Sequence, residues 1–379
     1  MRIVHVANFY GPRSGGLRTT MHQLGLGYQA AGIEFIYIVP DETSYEEVTP
    51  YGTKIAIKAP LIPGSGGYRA IINPVEVISI LEQVKPDRIE VSDRLTLRRV
   101  GLWAKKRGIY CVVFSHETLD GLAKKFFRFL PLRTQLVDWH NARLAKSFNR
   151  VIATTQFAAR EFNRINTKNL ERIPLGVDLD QFGTRYYNPK LRTNLAKGSD
   201  VLLIHVGRLS PEKNPMMSIK ALKILLRSKV NARLVVVGSG PLKDKMMRAS
   251  KGLPVEFYGF VTDRAQLAQL IAAADVSIAP GPLETFCLAA LESLASGTQV
   301  VCSSTSAVSE IVGNAGLAAK NFSESFAVAI EKVIARGTKE ERALVARRQA
   351  ERFSWNNTTK QMLRIHNIEI IELDDEYAA

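Results

Sequence analysis

Two glutamates, Glu284 and Glu292, stand on either side of a predicted junction between a strand and a helix. The apolar run 276–279 predicts a buried strand, and the proline and glycine residues of 280–282 end it. Leucines at helical spacing then predict a helix that begins near Leu288. Because the start of a helix presents unpaired backbone N–H groups, this junction suits a phosphate. Two carboxylates beside it suit neutral groups such as sugar hydroxyls. The alternative is that both glutamates are solvent-exposed, as most glutamates are.

A second candidate site lies in the loop after the predicted strand 201–206. Arg208 and Lys213 both belong to this loop, and helical spacing resumes after it. Arginine offers a planar fork of donors and lysine a point charge, which together suit the oxygens of a diphosphate. The loop therefore predicts two cations directed at one anionic ligand.

Two loops in the first half of the chain also follow predicted strands. His116 comes after the strand 110–114, at the end of the strand where open α/β sheets bind their ligands. Gly15 and Gly16 lie just before a predicted amphipathic helix, where the backbone can approach a ligand closely. Each has a structural alternative, since a single histidine is usually structural and a glycine pair often forms only a turn.

Two turns in the second half of the chain are further candidates for ligand contact. Gly238 follows the predicted strand 234–237 and begins a tight glycine turn. Phe260 and Val261 follow the predicted strand 255–258, where the backbone is placed to face a nucleobase.

The composition is that of a globular chain with a large excess of positive charge. A length of 379 residues indicates two domains, and the formal net charge of +15 predicts an anionic partner: nucleic acid, a membrane surface or a phosphorylated ligand. Three cysteines without paired or metal-binding spacing indicate a reducing compartment. We expect neither a signal peptide nor a run approaching the ~18 apolar residues of a membrane span. The protein is therefore expected to be cytoplasmic, either soluble or bound peripherally to the inner face of the cell membrane.

Strands and helices alternate along the chain, which predicts an α/β fold of two Rossmann-like domains. The linker near 175–178 separates them, so we predict domains at 1–176 and 177–356. A last amphipathic segment follows the second domain. Asp178 and Asp180 formally spell a metal-binding motif, but their position after a linker favours a turn, and we assign no metal site.

The segment 122–150 is strongly basic and carries aromatic residues. Seven lysines and arginines oppose the single acid Asp138, and Trp139 is among the interleaved aromatics. One interpretation is a buried pair of helices with a solvated basic face. The other is a surface for anionic lipid, with aromatic side chains entering the membrane interface.

Together these motifs resemble those of retaining glycosyltransferases of the GT4 type. The resemblance rests on three groups of residues, in the same order over nearly the whole chain: Gly15 and Gly16; Gly207 and Arg208 with 212–214; and Glu284 through Glu292. The opening 10–19 further resembles actinobacterial mannosyltransferases that use GDP-mannose. The resemblance implies a GT-B fold, in which two Rossmann-like domains face each other across a central cleft. It also implies that a final helix, at about 357–379, completes the N-terminal domain.

The resemblance implies a role for each candidate residue. Arg208 and Lys213 would neutralise the diphosphate, Glu292 would bind the ribose, and Glu284 and His116 would bind the donor sugar near the reacting carbon. Gly16 would contact the β-phosphate. The backbone around the helix start would contact sugar and phosphate. The remaining candidate donor-binding residues are Gly15, Gly238, Phe260, Val261, Phe286, Cys287 and Leu288.

Two further expectations follow from the resemblance. GT-B enzymes usually work without a bound metal, because such cations take its place, and no other cofactor is expected. Many family members have glycine where this chain has Cys287. The cysteine side chain could either narrow the approach to the sugar or point harmlessly into the core.

We therefore expect a glycosyltransferase that moves a hexose, most simply mannose from GDP-mannose, to a glycolipid, glycan or polyol acceptor with retention. One alternative is a nucleotide-sugar epimerase, which would form its product from the donor alone. Another is a basic nucleic-acid-binding protein, suggested by the charge of +15. No nucleic-acid motif supports it, so no nucleic-acid partner is expected, whereas an anionic membrane would account for the same charge.

Overall fold

The computed structural model describes residues 1–11, 15–62, 67–126 and 132–369. The chain divides into two compact units, one formed by residues 1–175 with the segment from Trp355 onward, the other by Gly176–Ser354. The predicted boundary was at 176/177. Each unit is an α/β layer structure with its own apolar core.

The first unit contains an eight-stranded sheet. Its strands are β1 (Arg2–Ala7), β2 (Glu34–Asp41), β3 (Tyr45–Thr49), β4 (Gly52–Lys58), β5 (Arg88–Ser92), β6 (Tyr110–Ser115), β7 (Arg150–Ala153) and β8 (Leu170–Arg172). They lie in the order β3-β4-β2-β1-β5-β6-β7-β8, and all pairs are parallel except β3 with β4. Because β1, β5 and β6 are neighbours and parallel, the loops after them emerge at one edge of the sheet.

Within the described ranges, six helices follow the strands of this sheet in sequence. They are α1 (Gly16–Ala30), α2 (Val75–Val84), α3 (Arg98–Lys106), α4 (Leu119–Phe126), α5 (Arg133–Ser147) and α6 (Gln156–Arg164). The amphipathic spacing predicted for α1 buries Met21, Leu24 and Tyr28 in the core. Residues 127–131 of the basic segment lie outside the described ranges, and so do 12–14 of the loop before α1.

The second unit contains a fully parallel six-stranded sheet. Its strands are β9 (Val201–Val206), β10 (Ala232–Val237), β11 (Val255–Gly259), β12 (Val276–Ala279), β13 (Gln299–Ser303) and β14 (Gly316–Ala319), in the order β11-β10-β9-β12-β13-β14. Its helices are α7 (Pro189–Ala196), α8 (Met216–Arg227), α9 (Lys243–Ala249), α10 (Arg264–Ala273), α11 (Leu288–Ala295), α12 (Val308–Val312), α13 (Ser323–Ile334) and α14 (Lys339–Ala350). The strand order reverses between β9 and β12, the position where such sheets bind ligands.

The last helix, α15 (Trp355–Ile365), packs in the core of the first unit through Met362 and Leu363. It is shorter than the predicted helix over 357–379. The helix ends because Asn367 has a left-handed backbone (φ +55°), and Arg88 Nε donates to the carbonyl of His366 at 2.8 Å. Residues 370–379 lie outside the described ranges.

The predicted strands 201–206 and 276–279 and the helix starting near Leu288 are confirmed. The antiparallel strand β3 was not predicted. Its residues are mostly exposed, Val48 at 85%, and they lack the apolar alternation that marks a strand with one buried face.

Candidate functional site

Lys213 and Glu284 are far apart in sequence and form a close ion pair in the second unit. Lys213 Nζ lies 2.6 Å from Oε1 and 2.7 Å from Oε2 of Glu284. Lys213 ends a short 3₁₀ turn, Pro211–Lys213, after β9, and Glu284 lies between β12 and α11. Since β9 and β12 are adjacent and parallel, their following loops meet at one edge of the sheet. Two of the predicted site residues are thus brought together.

The charge of Lys213 is maintained by this contact. Burial disfavours the ammonium, but the attraction of Glu284 and its hydrogen bond outweigh that effect, and the pKa of Lys213 is raised. The side chain of Lys213 is 38% exposed and that of Glu284 12%. The lysine is therefore a fixed cation that solvent, or an anionic ligand, can still reach.

Arg208 lies in the same loop as Lys213. Burial lowers the pKa of Arg208, and the charge of Glu212 partly offsets this. The guanidinium remains a cation at neutral pH, because its ordinary pKa lies above 12. The backbone of the loop is held by a hydrogen bond from Leu209 N to Ser239 O at 2.9 Å.

Gly238 brings the loops after β9 and β10 into direct backbone contact. It has a φ of +138°, and a Cβ atom there would lie 1.9 Å from the carbonyl oxygen of Gly207. Its N–H donates at 2.6 Å to the carbonyl of Gly259, the last residue of β11. Phe260, next in that loop, is 47% exposed, and Val261 is half-buried. Glycine is thus required at position 238 by its positive φ and by the close approach of the Gly207 backbone.

Helix α11 begins at a residue with an unusual backbone conformation. Cys287, just before Leu288, has φ +83° and ψ +81°. This left-handed region favours glycine, which gives a physical reason why glycine suits this position. Burial and the charge of Glu284 raise the pKa of the Cys287 thiol to about 12, so the thiol is neutral. Phe286 is buried and packs edge-on against Phe353.

Glu292, on the second turn of α11, pairs with an arginine that the sequence did not single out. Arg264 Nη2 donates to Glu292 Oε1 at 2.7 Å, and Arg264 Nε donates to Gln181 Oε1 at 3.2 Å. Arg264 is the first residue of α10, after the N-cap Asp263. A charged residue at a helix start is common, so nothing in the sequence distinguished Arg264.

The candidate residues of the first unit lie at the edge where β1, β5 and β6 end. His116 follows β6, and its Nε2 lies 2.8 Å from Ser92 Oγ at the end of β5. Burial, with a contribution from His5, lowers the pKa of His116 to about 3, so its ring is neutral. Gly15 caps α1 and Gly16 begins it, and a Cβ atom at either position would meet nothing within 4 Å.

The Asp178–Asp180 segment forms the predicted turn. Asp178 Oδ1 accepts hydrogen bonds from the backbone N–H groups of Asp180 and Gln181, at 3.0 and 2.8 Å. Within the ranges that the structure describes, no group of three or more His, Cys, Asp and Glu side chains is arranged to hold a metal ion.

Two family models match the chain, one in each half. Residues 14–181 match Glycosyltransferase Family 4, and residues 188–351 match Glycosyl transferases group 1. The fold is also that of a solved sucrose-phosphate synthase from Thermosynechococcus elongatus, with a TM-score of 0.74 and 20% identity over 97% of this chain and 98% of that one.

Two curated mycobacterial proteins are related along most of the chain. A GDP-mannose-dependent alpha-(1-6)-phosphatidylinositol dimannoside mannosyltransferase of Mycobacterium tuberculosis is 46% identical, over 96% of this chain and 95% of the relative. A GDP-mannose-dependent alpha-mannosyltransferase of Mycolicibacterium smegmatis is 25% identical over 79% of each. The chain therefore belongs to the family 4 glycosyltransferases, enzymes with the GT-B fold.

Proposed function

We propose that this glycosyltransferase moves mannose from GDP-mannose to a phosphatidylinositol mannoside, with retention at the anomeric carbon. The 46% identity to the mannosyltransferase of Mycobacterium tuberculosis, over almost the whole of both chains, supports this donor and acceptor. The single structural observation that carries the proposal is the Lys213–Glu284 pair at the start of α11. It provides one cation for phosphate and one carboxylate for sugar hydroxyls.

Each part of the donor has a matching group in the second unit. The diphosphate binds Arg208, Lys213 and the N–H groups at the start of α11, where the helix dipole favours an anion. Glu284 accepts from mannose hydroxyls and Glu292 from ribose hydroxyls. The guanine lies along the backbone at 260–261.

In the first unit, the proposed roles follow the family resemblance. Gly16, at the start of α1, offers its N–H group to phosphate. His116 offers a neutral ring to a sugar hydroxyl.

In the proposed reaction the bond between the anomeric carbon and the diphosphate oxygen breaks, and its electron pair stays on the diphosphate. Arg208 and Lys213 stabilise that developing charge. The acceptor hydroxyl forms the new bond on the same face of the sugar and gives its proton to the departing diphosphate. Because Arg208 and Lys213 can take the place of a metal ion beside the diphosphate, we propose that transfer needs no divalent ion.

The acceptor is proposed to be reached at an anionic membrane surface on the cytoplasmic side. Helix α5 has an exposed apolar group near its start, formed by Leu132, Leu136 and Trp139, which are 66%, 51% and 58% exposed. Arg143 lies over the Trp139 ring, 4.6 Å from its centroid. Aromatic and basic side chains on one helix are typical of interfacial binding. No helix in the described ranges is long and apolar enough to cross a membrane.

A thermal-shift panel of nucleotides tests the donor assignment. Ligands that bind only the folded state raise its stability by about 2.7 kcal/mol at a hundred times their Kd. We expect GDP and GDP-mannose to raise the Tm by roughly 5–10 °C at such concentrations, with and without EDTA, and UDP to raise it less. A larger shift with UDP than with GDP would overturn the choice of base.

A further inference from the structure

A chain of buried polar side chains runs behind His116 in the first unit. Ser92 Oγ lies 2.8 Å from Nε2 of His116 and 2.8 Å from Nε2 of His5. On the far side of His5, Nδ1 lies 2.7 Å from Oε2 of Glu90. His5 and Glu90 are fully buried and Ser92 nearly so. The four side chains form one continuous path from the interior to the loop that carries His116.

Glu90 is the fixed end of this path. It accepts a hydrogen bond from the Tyr28 hydroxyl at 2.5 Å and lies 2.9 Å from Nε2 of His366, just after α15. Burial would raise the pKa of Glu90, but the hydrogen bond with His366 and the close His5 ring outweigh it and hold that pKa well below its usual range. Because an ionised carboxylate carries no proton, its 2.7 Å separation from His5 Nδ1 favours the tautomer of His5 with the proton on Nδ1.

Contact with one aromatic ring orients both imidazoles. Phe114 packs beside each of them, with its ring centroid 5.5 Å from that of His5 and 5.4 Å from that of His116. The interplanar angles are only 13° and 6°. Packing therefore sets the orientation of the His116 ring, and the Ser92 hydroxyl contacts one of its two nitrogens.

We propose that Glu90, His5 and Ser92 are positioning residues that set the tautomer of His116. When His5 is neutral, its Nε2 accepts a hydrogen bond from the Ser92 hydroxyl. Ser92 Oγ then accepts from a protonated Nε2 of His116, and Nδ1 of His116 is an acceptor. When His5 carries two protons, its Nε2 donates to Ser92, whose hydroxyl donates to His116, and Nδ1 becomes the donor.

The tautomer matters for the reaction because it decides what His116 can offer a sugar hydroxyl. The pKa of His116, about 3, keeps its ring neutral, so one nitrogen donates and the other accepts. This consequence rests on the proposed role of His116 at the donor sugar. The relay itself is a property of the unliganded protein and can be measured without any transfer.

The relay can be tested by ¹⁵N NMR of the histidine side chains in the full-length protein, with Ser92→Ala as the main variant. The chain has six histidines, and the His116 signals are assigned by their loss in His116→Gln. We expect one tautomer of His116 in the wild type and a mixture of the two in Ser92→Ala. The kcat with GDP-mannose should fall about tenfold or more in the same variant, because small misplacements of a contact group are costly, while KM changes little.

Two matched variants separate this role from general packing. Ser92→Thr keeps the hydroxyl and should retain the wild-type tautomer. Ser147→Ala removes another buried serine of the same unit, whose hydroxyl accepts a hydrogen bond from Arg98 Nη1. This variant should change neither the tautomer of His116 nor the kcat.

An unchanged His116 tautomer in Ser92→Ala would overturn the relay, whatever the activity. A changed tautomer of His116 together with a wild-type kcat in Ser92→Ala would show that the relay does not position His116 for transfer. A wild-type protein that transfers nothing from GDP-mannose would instead contradict the proposed function, and the NMR result would still decide whether the relay exists.

Discussion

Replacing Lys213 with alanine is expected to lower kcat by about 10²–10³-fold, which is the usual cost of removing one preorganised group that stabilises transition-state charge. The ammonium is held 2.6–2.7 Å from both oxygens of Glu284, so it needs no reorganisation when charge develops on the diphosphate. Its removal also leaves Glu284 without this cation beside the sugar. The measurement is kcat with GDP-mannose at saturating acceptor, together with the Tm of each variant.

Two variants control for this prediction. Lys220→Ala removes an exposed lysine from the neighbouring helix α8 and should leave kcat unchanged. Lys213→Arg keeps the charge in a different shape and should lose less activity than Lys213→Ala. Activity near the wild-type rate in folded Lys213→Ala would remove Lys213 from the proposed mechanism.

Replacing both Trp139 and Arg143 with alanine is expected to weaken binding to anionic vesicles by roughly 10²–10³-fold. An arginine near an anionic surface contributes about 1 kcal/mol, and burying a large apolar side chain contributes about 1.5–3 kcal/mol. Trp139 is 58% exposed on α5, with Arg143 stacked over it, so the double change leaves the core intact. The measurement is co-sedimentation with vesicles containing phosphatidylinositol, compared with neutral phosphatidylcholine vesicles.

The control for the vesicle experiment is an exposed apolar residue and an arginine of the second unit, with the same four-residue spacing as Trp139 and Arg143. Leu344 and Arg348 are exposed and four residues apart on α14, as Trp139 and Arg143 are on α5. Leu344→Ala with Arg348→Ala should bind vesicles as the wild type does. Equal binding of wild type to anionic and neutral vesicles would contradict the proposed membrane surface.

The sequence predicted the fold well where hydrophobic spacing was clear. The apolar runs at β9 and β12 and the leucine spacing of α11 each identify an element without tertiary information. The exposed strand β3 and the end of α15 were missed. β3 depends on pairing with β4, and the end of α15 depends on the left-handed backbone at Asn367.

The site was predictable as separate loops, whereas its contacts were not. Arg208 and Lys213 stood out because two cations follow a strand, but the pairing of Lys213 with Glu284 exists only through the adjacency of β9 and β12. Nothing in the sequence around Arg264 indicated that it pairs with Glu292. The sequence also could not show that Cys287 has a left-handed backbone.

The path behind His116 was equally invisible in the sequence. Glu90 and Ser92 belong to one strand and His5 to another, and their spacing carries no motif. The parallel register of β1 with β5 places His5 beside Glu90, and that of β5 with β6 brings the ends of both strands together.

The most direct test of the central claim is to follow transfer from GDP-α-mannose to a phosphatidylinositol dimannoside by NMR of the anomeric proton, in the presence of EDTA. The account predicts an α-mannoside product that forms only when the acceptor is present and at the same rate with the chelator. A β-mannoside, a change in the donor without acceptor, or transfer only when a divalent metal ion is added would contradict it.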